Sequence, residues 1–139
     1  MAIRTYTHLL ACPVCGAQFG SADKTLRCAN GHSFDIAREG YVNLLLKKLP
    51  GDSKEMLVAR RNFLERGCYR PLSDAINELV YGCLREQQGA SDEAETANIL
   101  DAGCGEGYYV GRLQHYLSTQ QVPVSCWSIG IDISKEAVR

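Results

Sequence analysis

Four side chains near the N-terminus, Cys12, Cys15, Cys28 and His32, follow the pattern C-x2-C-x12-C-x3-H. Two residues between the first thiols let both face one cation from a tight turn, and a second pair returning along a hairpin completes a tetrahedron. Gly16 directly follows Cys15 and Gly31 directly precedes His32, so each half has its own turn glycine. Three thiolates and an imidazole suit Zn2+, and four protein ligands leave no open coordination position, so the expected site is structural and not catalytic. A redox Cys-x-x-Cys pair and incidental core cysteines are the competing readings, and neither accounts for Cys28 and His32. His32 enters the ligand set by its spacing from Cys28. His8 and His115 have no such company and are read as ordinary, and Cys68, Cys83 and Cys126 as buried small apolar residues.

A second constellation lies in the C-terminal third, where Ile99-Leu-Asp-Ala-Gly-Cys-Gly-Glu-Gly107-Tyr-Tyr109 places D-x-G-x-G-x-G after an apolar strand and before a helix-like stretch. Glycines there permit positive φ and let backbone N–H groups approach a ligand with no Cβ in the way. A dinucleotide fold prefers G-x-G-x-x-G with a pyrophosphate on the helix N-terminus. Here the third glycine comes two residues after the second, and Asp101 would repel a pyrophosphate but welcome a sulfonium cofactor bearing an ammonium group. Asp132 ends the next strand, Ile129-Gly-Ile-Asp132, where its two oxygens can accept from ribose hydroxyls. S-adenosylmethionine is therefore the expected cofactor, on Asp101, Gly103, Gly105, Glu106, Gly107 and Asp132. A dinucleotide or a coincidental tight turn is the alternative. Cys104 is read as a small turn residue and not as a nucleophile.

These sites must be positioned by 139 residues that are 45% hydrophobic, enough for one ordinary core, or for a metal-stapled module plus part of a second domain. No run of about 18 apolar residues offers a membrane span. Residues 1–10 lack the order of a secretory signal, so a cytoplasmic protein with no membrane partner is expected. Seven cysteines, an odd count, fit metal binding and free thiols in a reducing compartment better than a disulfide framework. The net charge of −1 hides an asymmetry: residues 1–70 carry 11 Lys/Arg against 6 Asp/Glu, and residues 71–139 carry 4 against 10. A basic half of this kind points to a polyanionic partner, the alternative being uneven surface composition.

The fold class expected is α/β, organised as a zinc-ribbon-like module over 1–36, a basic helical connector over 37–97, and the start of a Rossmann-like methyltransferase sheet over 98–139. Cys12 to Phe34 reads as short strands and tight turns, with too few apolar residues for a self-sufficient core. Helical spacing marks Ser53 to Glu65 (Met56, Leu57, Phe63, Leu64) and Leu72 to Arg85 (Leu72, Ile76, Leu79, Val80, Leu84), with Pro71 as the break between them. Gln87 to Thr96 is a polar linker or a solvated helix end. Glu106 to Leu117 is a helix joining strands at Ile99-Leu100 and Cys126 to Ile131, and residues 133–139 look like the first turns of another helix. A doubly wound sheet needs about five or more strands, so the chain is expected to be a fragment of a longer protein.

Cys-Pro-Val-Cys15, Gly31-His-Ser-Phe-Asp-Ile-Ala-Arg-Glu-Gly-Tyr-Val-Asn-Leu-Leu45, Gly51-Asp-Ser53, Ala59-Arg-Arg61, Gly67-Cys-Tyr-Arg-Pro71 and Leu100-Asp-Ala-Gly-Cys-Gly-Glu-Gly-Tyr-Tyr109 together resemble the 23S ribosomal RNA guanine-N1 methyltransferases. The resemblance covers nearly the whole chain. It implies zinc on Cys12, Cys15, Cys28 and His32, the cofactor turn on Gly103 to Gly107, and a further cofactor contact at Tyr69. The residues alone would make Tyr69 a helix-end packing group. The implied reaction is methyl transfer to N1 of a guanine in a hairpin loop of 23S rRNA. Lys47, Lys48, Lys54, Arg60 and Arg61, followed by Arg66 and Arg70, are the expected phosphate contacts; a solvated helix face is the bland alternative. No residue is a credible proton acceptor, and a homodimer is possible. Two other readings are kept: a non-catalytic zinc-stabilised RNA-binding fragment, and a methyltransferase acting on a small molecule or protein. Little or no catalysis is expected of these residues alone, because half of the cofactor pocket lies on strands they do not contain.

Overall fold

The computed structural model describes residues 3–22, 24–47, 49–89 and 96–138, which form two compact units. One comprises Met1–Gly51 with Ile133–Lys135, the other Asp52–Asp132 with Glu136–Val138.

In the first unit a 3-10 helix over Ile3–Leu9 precedes β1 (Phe19–Ala22), β2 (Thr25–Cys28) and β3 (Ser33–Asp35). They pair antiparallel in the order β1-β2-β3, with Phe19 opposite Cys28 and Leu26 opposite Phe34. The period of two turns Leu26 and Cys28 inward and leaves Arg27 outside. Cys12, Phe19, Leu26 and Cys28 form the buried cluster, with Phe34 edge-on to Phe19 at 5.6 Å between ring centroids. Four side chains at about 1.5–3 kcal/mol each cannot offset about 1–2 kcal/mol of backbone entropy per residue over this block. Two members of the cluster are themselves thiols of the cysteine–histidine motif, so metal binding and core formation are one event.

The second unit contains α1 (Lys54–Glu65), α2 (Arg70–Gly89), β4 (Ala97–Ala102), α3 (Tyr108–Ser118) and β5 (Cys126–Ile131). β4 and β5 are parallel neighbours, and α3 makes the crossover that a parallel pair requires. Ser53 starts α1 by accepting from the Met56 N–H at 3.3 Å. Substituting Ser53→Ala is expected to cost about 1 kcal/mol, read as a lower midpoint in thermal unfolding.

Several expectations are corrected here. The break between α1 and α2 is made by Gly67, whose φ of +78° ends the first helix. Pro71 lies inside the first turn of α2, where its missing N–H has no partner to lose, and Arg70 before it is already helical. The inward face of α2 is only partly the apolar stripe: Leu84 is buried, but so are Ser73 and Asn77, whereas Leu72 and Leu79 are exposed. Ser73 is fully buried because its Oγ accepts from Arg112 Nε at 2.8 Å, and Asp74 pairs with the same guanidinium, which ties α2 to α3. Cys83 falls outside that buried face and Cys68 lies in the turn before α2, so both thiols are exposed; Cys126, on β5, is half-buried. Residues 135–137 form a turn and not a helix. Most of the expected linker, residues 90–95, lies outside the described residues. Among the described residues no helix is long and apolar enough to cross a membrane.

Candidate metal centre and cofactor turn

The ligands expected for zinc converge from two turns of the same design. Cys12 N–H donates to Ala17 O and Gly16 N–H returns to Cys12 O, at 2.9 and 2.8 Å; Cys28 N–H donates to His32 O and Gly31 N–H returns to Cys28 O, both at 3.0 Å. Gly16 and Gly31 hold φ of +72° and +85°, the left-handed geometry each turn needs. The ligand atoms of Cys12, Cys15, Cys28 and His32 all lie within 4.8 Å of one another.

Zn–S of about 2.3 Å and Zn–N of about 2.0–2.1 Å on a tetrahedron require S···S edges of about 3.8 Å and S···N edges of about 3.6 Å. Cys15 Sγ to Cys28 Sγ is 3.7 Å, and His32 Nδ1 lies 3.7 Å from Cys12 Sγ and 3.4 Å from Cys28 Sγ. The cluster is thus already zinc-sized, with Nδ1 as the imidazole donor. Its electrostatics favour the thiolate at Cys15 and Cys28 and disfavour it at Cys12. The Ala17 backbone N–H and the Asn30 side chain pull Cys15 down to about 6. Burial pushes Cys12 up; at Cys28 burial is outweighed by hydrogen bonds from His32, giving a net lowering. The Cys28 and Cys15 sulfurs raise His32. Asn30 was not among the sequence candidates, and asparagine before a turn glycine gave no signal beyond the turn itself.

The glycine-rich turn runs from the end of β4 to the start of α3. Gly103, Gly105 and Gly107 have φ of +81°, +53° and +78°. Ile131 O accepts from both Gly103 N–H (2.8 Å) and Cys104 N–H (3.0 Å), so the end of β5 fixes the turn's backbone. Asp132, next in sequence, accepts from Gly105 N–H through Oδ2 at 2.9 Å. One of the two oxygens expected to face a ribose is therefore engaged in holding the turn. Asp101 lies one residue before the end of β4, opposite Gly130, and its Oδ2 is buried with no hydrogen-bond partner. An orphaned carboxylate oxygen beside a glycine-rich turn fits a cationic group, because burying an unpaired polar atom is otherwise costly.

Burial and the charges of Asp101 and Asp132 raise the Cys104 thiol, which keeps it protonated and agrees with its reading as a small turn residue. Its size matters. A Cβ at Gly130 would stand 2.8 Å from Cys104 Sγ and 3.0 Å from Cys104 Cβ. Gly130→Ala is expected to displace the turn and weaken cofactor binding at least about tenfold while the zinc content stays at one per chain, as calorimetry and metal analysis would read.

Three further candidates acquire partners that the sequence did not suggest. Arg61 of α1 forms an ion pair with Glu106 in the turn, so neither side chain stands alone as a phosphate or cofactor contact. Arg60 pairs with Asp52 at 2.8 Å, and its Nη1 lies beside Gly105, 3.8 Å from where a Cβ would be. These contacts join residues up to 45 positions apart, and no local pattern announces them. Tyr69 is 43% exposed and edge-on to Phe63 at 5.5 Å; it is also a near enough neighbour of Tyr109 to help burial raise that phenol. Tyr109 follows the last glycine of the turn by two residues. Lys47 and Lys54 are exposed, and Lys48 lies outside the described residues. Arg70 is exposed and 3.8 Å from Asp74, one turn along α2.

Residues 10–54 match the zinc-ribbon family described as RlmA, N-terminal. The chain is 39% identical over 138 residues to a 23S rRNA (guanine(748)-N(1))-methyltransferase of Streptomyces fradiae, covering 98% of this chain and 45% of the relative. It is 38% identical over 141 residues to a putative 23S rRNA (guanine-N(1)-)-methyltransferase of Micromonospora griseorubida, covering 94% and 46%. A putative enzyme of the same description from Bacillus subtilis is 35% identical over 134 residues, covering 94% and 44%. The chain thus spans somewhat under half the length of these relatives.

Proposed function

We propose, from the premise that this chain carries an RlmA-type zinc ribbon and is related to the N-terminal portion of 23S rRNA (guanine-N1)-methyltransferases, that it is the RNA-presenting and cofactor-gripping part of such an enzyme. The observation that carries this reading is the glycine-rich turn closed by Asp132 over the orphaned Asp101 oxygen, in the same chain as a zinc-sized cysteine–histidine cluster.

S-adenosylmethionine, when bound, supplies a methyl group already activated by its sulfonium. The protein's contribution is then placement. Gly103, Gly105 and Gly107 leave the turn open to a ligand. Asp101 offers a carboxylate oxygen to the ammonium, Asp132 keeps the turn in shape and faces the ribose, and Tyr69 borders the site. Guanine N1 lies on the Watson–Crick edge, so the target base must be unpaired or flipped out before it can be presented. Lys47, Lys48 and Lys54 are the lysines proposed to contact phosphate; Arg60 and Arg61 are better placed to serve the turn. The zinc unit holds its strands rigid for that contact and takes no part in the chemistry. Partner and compartment follow from the substrate: a 23S rRNA hairpin, in the cytoplasm.

The zinc-loaded chain alone should bind methyl-labelled cofactor and a 23S rRNA hairpin with little or no transfer; completed with the remaining portion of one of its relatives, it should leave label in 1-methylguanosine when the RNA is digested to nucleosides. Label in a different nucleoside, or in protein or small molecules alone, would overturn the reading. If a salt-sensitive complex with the hairpin forms but the chain binds no cofactor and the completed protein transfers no label, the chain is an RNA-binding module and its turn is not a working cofactor site.

A further inference from the structure

The glycine-rich turn carries an excess of negative charge that the cofactor reading leaves unbalanced. Asp101 and Asp132 flank it, and the carboxylate of Glu106 is already neutralised by Arg61. A sulfonium and an ammonium are at home among carboxylates. The third charge of such a cofactor, the carboxylate of its amino-acid end, is not. It needs a cation within the same turn.

We infer, building on the cofactor reading above, that Arg60 binds the carboxylate of the cofactor's amino-acid end beside Gly105. Nη1 of Arg60 lies 3.8 Å from the position of a Gly105 Cβ, which places the guanidinium within ordinary contact distance of the turn. Gly105 is itself fixed, with φ of +53° and its N–H held by Asp132 at 2.9 Å. Arg61, the next residue of α1, anchors that helix on the turn through Glu106, which sets the distance from which Arg60 works. Asp52 accepts from Arg60 Nη1 at 2.8 Å, with the two side chains 47% and 25% exposed. Pairs this open to solvent contribute little, so they orient the guanidinium without withholding it. A guanidinium has five N–H donors in a planar fork, and Asp52 engages Nη1, leaving others for a second carboxylate.

The test compares two ligands that differ by that one group, S-adenosylhomocysteine and its decarboxylated analogue, which keeps the ammonium and the adenosine. Each is titrated calorimetrically into the zinc-loaded protein and into Arg60→Gln and Arg60→Lys variants. The wild type should prefer the carboxylate-bearing ligand by about ten- to a hundredfold, the range for a hydrogen bond to a charged group. Arg60→Gln should abolish the preference by weakening only S-adenosylhomocysteine, and Arg60→Lys should restore part of it. Equal weakening of both ligands by Arg60→Gln would overturn the inference and make Arg60 a prop for the turn. A wild type that binds both ligands equally, or a Gln variant that keeps the preference, would also overturn it. A wild type that binds neither ligand would remove the cofactor reading itself, and Arg60's role with it.

Discussion

Replacing Cys28 with serine is expected to abolish zinc binding and unfold β1–β3, while α1, α2 and α3 keep their helical signal. Cys28 is a ligand, a member of the four-residue buried cluster, and the end of the central strand of its sheet. Apparent zinc-binding free energies of about 10–16 kcal/mol in zinc-finger peptides are as large as the whole stability of an ordinary domain, so no other interaction in this small unit can compensate. The measurement is metal content by atomic absorption together with hydrogen exchange of residues 25–35. The wild type should hold one zinc per chain with protected amides; the variant should hold none and exchange freely. A strong chelator should reproduce the same exchange pattern, and acid should promote metal loss because thiolates and neutral imidazole must take up protons to release the ion. Slow exchange in β2 of the zinc-free variant would show that the apolar cluster suffices alone.

The second large effect is expected at Asp132. Asp132→Ala removes the acceptor of the Gly105 N–H and a carboxylate from the cofactor turn at once. A hydrogen bond to a charged group is worth about 1.5–3 kcal/mol, and the ribose contact proposed for the same side chain adds to it. The loss in S-adenosylmethionine affinity should therefore reach about thirtyfold or more. Asp132→Asn, whose amide oxygen can still accept from Gly105, should fall between the wild type and alanine. Calorimetric titration checks the affinities, and unchanged zinc content checks that the first unit is intact. Wild-type affinity in Asp132→Ala would mean that the ligand does not sit over this turn.

The cysteine–histidine cluster and the shape of the glycine-rich turn were legible before any coordinates, because both are written in short-range patterns. Ligand spacing in C-x2-C-x12-C-x3-H, with a glycine in each half, fixes two turns whose geometry is local, and the structure brings their four ligand atoms to zinc-sized separations. D-x-G-x-G-x-G likewise encodes a strand, a turn with three positive φ values and a helix within a dozen residues. Helical periodicity located α1 and α2 and picked out Leu84, but it did not show that Ser73 and Asn77 are buried while Leu72 and Leu79 are exposed. Burial there is decided by Arg112 reaching Ser73 and Asp74 from α3, and a polar partner can draw a serine inside where spacing would have placed Leu72 or Leu79. The cysteines show the same limit, since Cys68 and Cys83 are exposed for want of a facing element that composition could not specify.

What the sequence determined by itself is local: a cysteine–histidine set spaced for zinc, a glycine-rich turn between a strand and a helix, and which half of the chain is basic. What only the tertiary structure decided is how the charges are shared. Arg60 and Arg61 read as a cationic stripe along a helix, yet folding turns one toward Gly105 and Asp52 and the other onto Glu106. Asp132 reads as a ribose ligand, yet one oxygen closes the turn, and among the described residues Asp101 keeps a buried oxygen unpaired. The physical reason is range. Ligand spacing and backbone φ act over a few residues and leave a mark in the sequence, whereas an ion pair across 45 residues depends on where whole helices come to rest.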